Sequence, residues 1–506
     1  MMGLKERAFG PLPPLTLEDL VPLDHFYRHL ERSLDLIFVR DLVRDRYAPG
    51  GRPSVDPVVF FKLQLVMFFE GLRSERQLLQ VVADRLSLRW YLGYDLNEPL
   101  PDHSSLSRIR ERYGLAIFRC FFEAIVEQCL AAGLVWGREL YFDATKVAAN
   151  ASLDSVGPRF AVEAHLATLF DARDAGAPDD QGAIADEAVP LPIELTAEAQ
   201  AELAGAAARR HDWIGGAGRP DDRSVIRGEY RRTTDFRASG TDPDASLMRT
   251  HGGVDLGYHD HYVVDGGKGR VVLAALVTPA EVMENQPMLD LLWRVCFRWK
   301  LRPRQVTGDT TYGTTENIVA VEDAGIRAYV PLPNFDHRTP FFGRDRFAYE
   351  AERDVYRCPG GQELRFRKHK YTERTRVYQA SAAVCNACPL KAQCTGSAKG
   401  RQVKRSFDEA YLKRVRAYHA TEAYQKAMRK RNVWVEPLFA EAKDWHGLRQ
   451  FRLRGLEKVN AEALLIAAGQ NLKRLLSWRA WGRRPFPSGA AGVVLPALLP
   501  LPVPVP

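Results

Sequence analysis

Before Gly489 the chain has no apolar run long enough to span a bilayer, and Met1 to Pro14 lacks the apolar core of a secretory signal. The tail from Gly489 is apolar, but Pro496, Pro500, Pro502, Pro504 and Pro506 forbid a spanning helix and favour extended polyproline conformation. These absences predict a cytoplasmic chain with a frayed end and no membrane partner. Common catalytic signatures are missing too. There is no nucleophile elbow and no His-Glu-x-x-His, and Gly266-Gly267-Lys268 lacks phosphate-loop spacing. Cysteine is scarce, at seven residues in 506, and a cytosolic chain has little use for structural disulfides.

What is present is ordinary globular material, 46% hydrophobic and 26% charged, which argues against wholesale disorder. At 506 residues the chain is too long for one compact core, so two to four units are expected. The formal net charge of +8 is unevenly spread. Residues 401–480 carry 18 Lys and Arg against 8 Asp and Glu, whereas residues 161–205 carry 1 against 10. A basic stretch near the end offers a phosphate-binding surface, although a charge run alone can be a solvated face.

From Leu15 to about Val135 apolar residues recur at helical spacing, as in Val58 to Phe69 and Phe118 to Leu130. Ser104-Ser105 reads as a helix cap followed by Arg108 and Arg110 on an exposed face, which fits a small helical DNA-binding module or a helical packing domain with a basic rim. Beyond Trp136 strands begin. An Ala-rich acidic segment, Gly157 to about Pro220, reads as a helical or partly disordered insert. His261 to Val264, Asp265-Gly266-Gly267 and Arg270 to Val277 form a hairpin signal. A helix over Pro287 to Trp299 follows, then a strand into Asp309, a helix near Thr315 to Ala324 and a strand over Ile326 to Val330. That order predicts an α/β fold, a mixed sheet with flanking helices.

Three acids stand out. Asp143 closes Glu139-Leu140-Tyr141-Phe142, Asp309 closes Gln305-Val306-Thr307-Gly308, and Glu436 opens a helical stretch in basic sequence. Carboxylates gathered in one place resist ionising unless a cation neutralises them. Mg2+ or Mn2+ is the expected cation, and such ions activate water and steady a leaving oxygen in phosphodiester chemistry. Pro437 disfavours helical geometry at Glu436, so the helix is expected to start or bend there.

Rival residues read differently. Glu441 and Glu457 are expected to be exposed partners of Lys and Arg, and Asp242 and Asp244 to be loop formers. His259-Asp260-His261 could bind metal, but its place at a strand start favours a structural reading.

Cys120, Cys129 and Cys296 lie in apolar helical surroundings and read as small buried hydrophobes. Cys358, Cys385, Cys388 and Cys394 combine a knuckle-like turn, a Cys-x-x-Cys pair and a fourth thiol. That spacing suits a closed, structural Zn2+ site, with free thiols or a disulfide as the alternatives.

Taken together the chain resembles a bacterial insertion-sequence transposase of the DDE class. The likeness runs from Leu15 to Leu475 through Gly51-Arg52-Pro53-Ser54, Tyr141 to Lys146 with Asn150-Ala151-Ser152, Asp242 to Ala245, and Gly308 to Gly313. It continues through the cysteine cluster and Val435 to Phe439, leading to Lys443, His446-Gly447 and Arg454-Gly455-Leu456. The resemblance implies a ribonuclease H-like catalytic domain in which Asp143, Asp309 and Glu436 hold Mg2+ or Mn2+. Its activity would be strand cleavage at element ends followed by strand transfer. Relatives place Tyr seven and Arg four residues before the Glu; here those positions hold Arg429 and Asn432, and Arg431 lies one residue off.

Lys443, Arg431, Arg449, Arg454, Arg108 and Arg110 are the expected contacts to double-stranded DNA, both element ends and target. The chain is expected to act as a homodimer on that DNA, in the bacterial cytoplasm at the nucleoid. The expected division is a helical N-terminal DNA-binding domain (1–135), the first part of the catalytic domain (136–335, insert at about 157–230), and a small Cys-rich insert (336–410). The basic C-terminal part with the Glu (411–478) and a Pro-rich tail (479–506) complete it. A metal-dependent nuclease on the same fold, or a catalytically idle DNA-binding relative, are the alternative readings.

Overall fold

The computed structural model describes residues 15–47, 50, 54–158, 237–250, 252–334 and 339–479. The acidic segment 161–205, most of the expected insert, Gly51-Arg52-Pro53 and the tail from residue 480 lie outside the described residues.

Among the described residues up to Ala131 the regular elements are helices: α1 (Leu17–Leu20), α2 (Phe26–Ser33), α3 (Phe38–Val43), α4 (Pro57–Phe69), α5 (Glu75–Asp84), α6 (Leu86–Leu92) and α7 (His103–Ala131). Helix α4 starts where Asp56 accepts a 2.7 Å bond from the Val58 N–H ahead of Pro57, satisfying a donor that has no partner inside the helix. Its apolar residues are buried nearly all round, as expected of a helix at the centre of a core. The cap of α7 is Asp102 rather than Ser104 or Ser105, with its carboxylate accepting from the Ser104 N–H at 2.8 Å.

The main sheet holds β1 (Glu139–Ala148), β4 (Ser246–Thr250), β5 (Gly253–Asp265), β6 (Val272–Pro279), β7 (Gln305–Thr307) and β8 (Arg327–Tyr329), while β2 (Val156–Pro158) and β3 (Arg237–Ser239) pair apart from it. The strand order is β4-β5-β1-β7-β8, with β6 beside β4 on the outer edge of β5. β1, β5 and β6 run antiparallel, whereas β1, β7 and β8 run parallel. Crossovers through α8 (Met288–Trp299) and α9 (Thr315–Asp323) make the parallel half possible. The hairpin, both helices and both late strands fall where the residue pattern puts them.

A second, five-stranded antiparallel sheet contains β9 (Ala348–Glu350), β10 (Val355–Arg357), β11 (Glu363–Lys370), β12 (Thr375–Gln379) and β13 (Gln402–Ser406). Short helices α10 (Ala382–Asn386) and α11 (Lys391–Cys394) lie between its last two strands. It closes over its own small core of Phe347, Tyr356, Leu364, Tyr378, Ala380 and Val403. The chain then returns through α12 (Glu409–His419), α13 (Glu422–Trp434), α14 (Glu436–Trp445) and α15 (Leu456–Trp478).

Helix α15 ties the molecule together. The Asn460 and Asn471 side chains each pair with both backbone groups of a β6 residue, Val277 and Val272, at 2.8 to 2.9 Å. The outer edge of the sheet is thereby closed to other strands. On another side α15 meets α4 so closely that a Cβ on Gly469 would lie 2.5 Å from the Phe68 ring. One continuous core therefore runs from Tyr27 to Leu476. The N-terminal helices and the main sheet share this core.

Candidate active site

Strand β1 is the central element. Its parallel register with β7 pairs Tyr141 with Thr307, so Asp143, inside β1, and Asp309, just past the end of β7, each two residues further on, stand at the same level. Adjacent strands lie about 4.8 Å apart. Asp309 then caps a short turn, accepting the Thr311 N–H at 2.7 Å. Glu436 arrives from the other end of the sequence. Helix α13 stops at Trp434, the chain bends at Val435, and α14 begins at Glu436 with Pro437 in its first turn. The bend expected from Pro437 is present, and the helix N-terminus favours a carboxylate there.

Asp143 is 9% exposed and accepts one bond, 3.0 Å from the Ala144 N–H. Burial pushes its carboxyl up to about 6, Arg431 and the Ala144 N–H pull it down, and the charges of Asp309 and Glu436 raise it further. The three acids are thus one electrostatic group. Arg431 compensates them: its guanidinium stands 3.8 Å from Asp143 and 3.7 Å from Glu436, with Nε buried and unpartnered. A residue expected to face DNA is turned into the pocket. A fourth acid, Glu284 in the loop before α8, was not visible in the sequence. Its pKa is raised first by burial and then by the charges of Asp309 and Asp143. Nothing in the local pattern marks it, because its neighbours come from two other strands.

Oxygen donors and a requirement for positive charge fit a hard divalent cation. Among the described residues no three His, Cys, Asp or Glu side chains already stand in ligating geometry. Arg431 supplies the compensating charge in the arrangement seen.

The remaining basic candidates divide. Lys443 is half-buried on α14, its pKa lowered by burial and by Arg449, with Asp260 and Asp444 opposing. Arg449 is exposed and pairs with Asp444 at 2.5 Å. Arg454 is exposed and donates to the Asn150 carbonyl at 2.9 Å, and Arg108 is exposed on α7. Arg110 departs from expectation: it is buried against Glu75, beside Arg452 and Glu462. There it joins α5 and α7 to the C-terminal segment.

Glu441, expected to be exposed, is instead largely enclosed by His446, Lys473 and Arg474. Asp242 and Asp244 do act as loop formers, accepting the Gly455 and Leu456 N–H groups at the start of α15.

In the second sheet Cys358, Cys385, Cys388 and Cys394 line one small pocket. A Cβ on Gly360 would lie 3.5 Å from the Cys388 sulfur and 3.7 Å from that of Cys358. The Cys358 N–H donates to Gln362 and the Gly361 N–H to Cys358, both at 2.9 Å, closing the knuckle that Gly361 permits with φ +75°. Arg401 N–H points at the Cys385 sulfur at 3.5 Å. None of the seven cysteines is in a disulfide, and Cys120 is exposed rather than buried.

The mixed sheet thus brings buried Asp143 on β1, half-buried Asp309 just after β7 and exposed Glu436 at a helix start into one electrostatic group. Comparison with known families narrows this. Residues 357–476 match the family described as "Transposase DDE domain", and residues 15–112 match "Transposase domain (DUF772)". The matches support a DDE-type transposase, and hence a nuclease or transposase enzyme with DNA as its partner. The first matched segment contains β11, β12 and β13 of the second sheet, Glu436 and Lys443; Asp143 and Asp309 lie in neither segment. No curated protein and no solved structure matches the chain. No helix among the described residues is long and apolar enough to cross a membrane.

Proposed function

We propose that this chain is the DNA transposase of an insertion sequence, with a ribonuclease H-like catalytic centre formed by Asp143, Asp309 and Glu436. The observation that carries the proposal is the coupling of these three acids, 293 positions apart at the extremes, around one buried carboxylate. The antiparallel and parallel halves of the sheet, meeting at the strand that bears Asp143, support the fold reading.

The three carboxylates would hold Mg2+ or Mn2+, which when bound supplies an activated water and stabilises the departing 3′ oxygen. The chain's own residues prepare the pocket. Burial makes Asp143 reluctant to ionise alone, so it becomes a carboxylate only with a positive partner, and Arg431 provides one before DNA and metal arrive. Lys443 follows Glu436 by two helical turns, about 10 Å along α14, and holds a phosphate beside the cut. Arg449, Arg454 and Arg108 grip the backbone, adding affinity without reading sequence. The freed 3′ hydroxyl then attacks a phosphodiester of target DNA, forming one P–O bond as another breaks.

Cys358, Cys385, Cys388 and Cys394 would hold a structural Zn2+, four thiolates leaving no open position. The unit at work on DNA is a homodimer, one protomer at each element end.

The test is strand cleavage of a plasmid carrying the element ends in Mg2+. Asp309→Asn should lower the rate by a factor on the order of 10³. Cleavage by that variant at the wild-type rate would overturn the assignment.

A further inference from the structure

On β5, paired with Lys146 of β1, His259 is fixed in one tautomer. Its Nδ1 lies 3.0 Å from the Val282 carbonyl oxygen. A carbonyl can only accept, so Nδ1 carries the hydrogen and the lone pair of the neutral ring is on Nε2. Burial pushes the ring toward that neutral form. Nε2 is buried with no hydrogen-bond partner, and the side chain is 8% exposed. It faces Glu284 Oε1 at 3.9 Å. A lone pair and a carboxylate oxygen therefore look at each other across a gap too long for a hydrogen bond.

Two acceptors in that position need something positive between them. A cation with bonds of about 2.1 Å to each would bridge separations up to about 4 Å. An imidazole whose other nitrogen donates to a backbone carbonyl is the arrangement that orients metal-binding histidines. Glu284 also feels the charges of Asp309 and Asp143, with Lys146 opposing them. Its side chain is 23% exposed, leaving access and room to move the short distance ligation requires. His261, two residues on, does not compete: its Nε2 bonds Thr278 Oγ1 at 2.9 Å.

We propose that His259 and Glu284 form a divalent-cation site of their own, bordering Asp309 and separate from the ion held by the triad. The mixed nitrogen and oxygen donors favour a first-row transition metal over Mg2+. This site stands whether or not the chain proves to be a transposase.

The experiment is Mn2+ titration of the full chain without DNA, followed by calorimetry and by pulsed electron paramagnetic resonance for nitrogen coupling from a bound imidazole. Wild type should show the coupling, and Asp143→Asn should keep it. His259→Gln should lose it, and Glu284→Gln should weaken the nitrogen-coupled ion at least about tenfold. No nitrogen coupling at saturating Mn2+, or coupling that survives His259→Gln, overturns the proposal. Loss of the nitrogen-coupled ion in Asp143→Asn also overturns it, by giving that ion to the triad. Should His259→Gln not fold, unchanged affinity in Glu284→Gln is the contradicting result.

Discussion

The acid pocket and the cysteine pocket gather reactive groups in opposite ways. The acids come from positions 143, 309 and 436, meet only because two strands lie in parallel register and a helix breaks at Val435, and sit on the core shared by the N-terminal helices, the main sheet and the C-terminal helices. The four thiols come from positions 358 to 394 and sit on a separate core of six buried residues. The first pocket depends on the global fold, so it should survive losses in the second. The second is local and small, and a six-residue core contributes little without a staple.

The largest effect should follow from removing the proposed Zn2+. Structural zinc contributes on the order of 10 kcal/mol of apparent folding free energy. Chelation, or Cys388→Ser, should therefore open residues 342–407 to proteolysis while the remaining described residues stay resistant. Resistance throughout after chelation would mean that the thiols are structural without metal.

A smaller effect should distinguish the acid pocket. The Asp143 carboxyl is raised from an ordinary 3.8 to about 6. The folded state therefore binds a proton there more tightly than the unfolded state. Its stabilising share is full below about pH 4 and is lost as pH rises through about 6, amounting to about 3 kcal/mol. A divalent cation reverses this loss. The rise in melting temperature on adding Mg2+ should be larger at pH 7.5 than at pH 5, and an equal rise at both would separate Asp143 from the cation site. Cysteine-pocket melting should show no such Mg2+ response.

The smallest change tests the shared core. Gly469→Ala would push a methyl group into the Phe68 ring, and overpacking of this kind costs about 1–3 kcal/mol. Denaturant unfolding should move the acid-pocket core to lower midpoint and leave the cysteine sheet unchanged. A shift in both would join the two regions into one cooperative unit.

The strands around the acid pocket were legible because alternating and β-branched runs end at clear turn residues, as at Asp265-Gly266-Gly267. Asp309 was legible as an acid closing such a run and Glu436 through the helix break at Pro437, whereas Asp143, read as closing its run, lies inside β1, which continues to Ala148. What could not be read was direction. Arg431 and Arg110 are ordinary basic helical residues in sequence, and only packing turns one onto Asp143 and the other onto Glu75. Glu284 and His259 lie 25 residues apart on a loop and a strand, and their meeting depends on how β5 and β6 pair. The single core hid for a related reason. Nothing near Gly469 reveals that its missing side chain lets α15 lie against Phe68, 401 residues earlier.

The most direct test of the shared acid pocket is calorimetric titration of Mn2+ into the full chain and into Asp143→Asn, Asp309→Asn and Glu436→Gln, with folding checked by circular dichroism. Each folded variant should lose one and the same class of bound ion. Three variants that bind Mn2+ as wild type does would mean that these carboxylates share no cation.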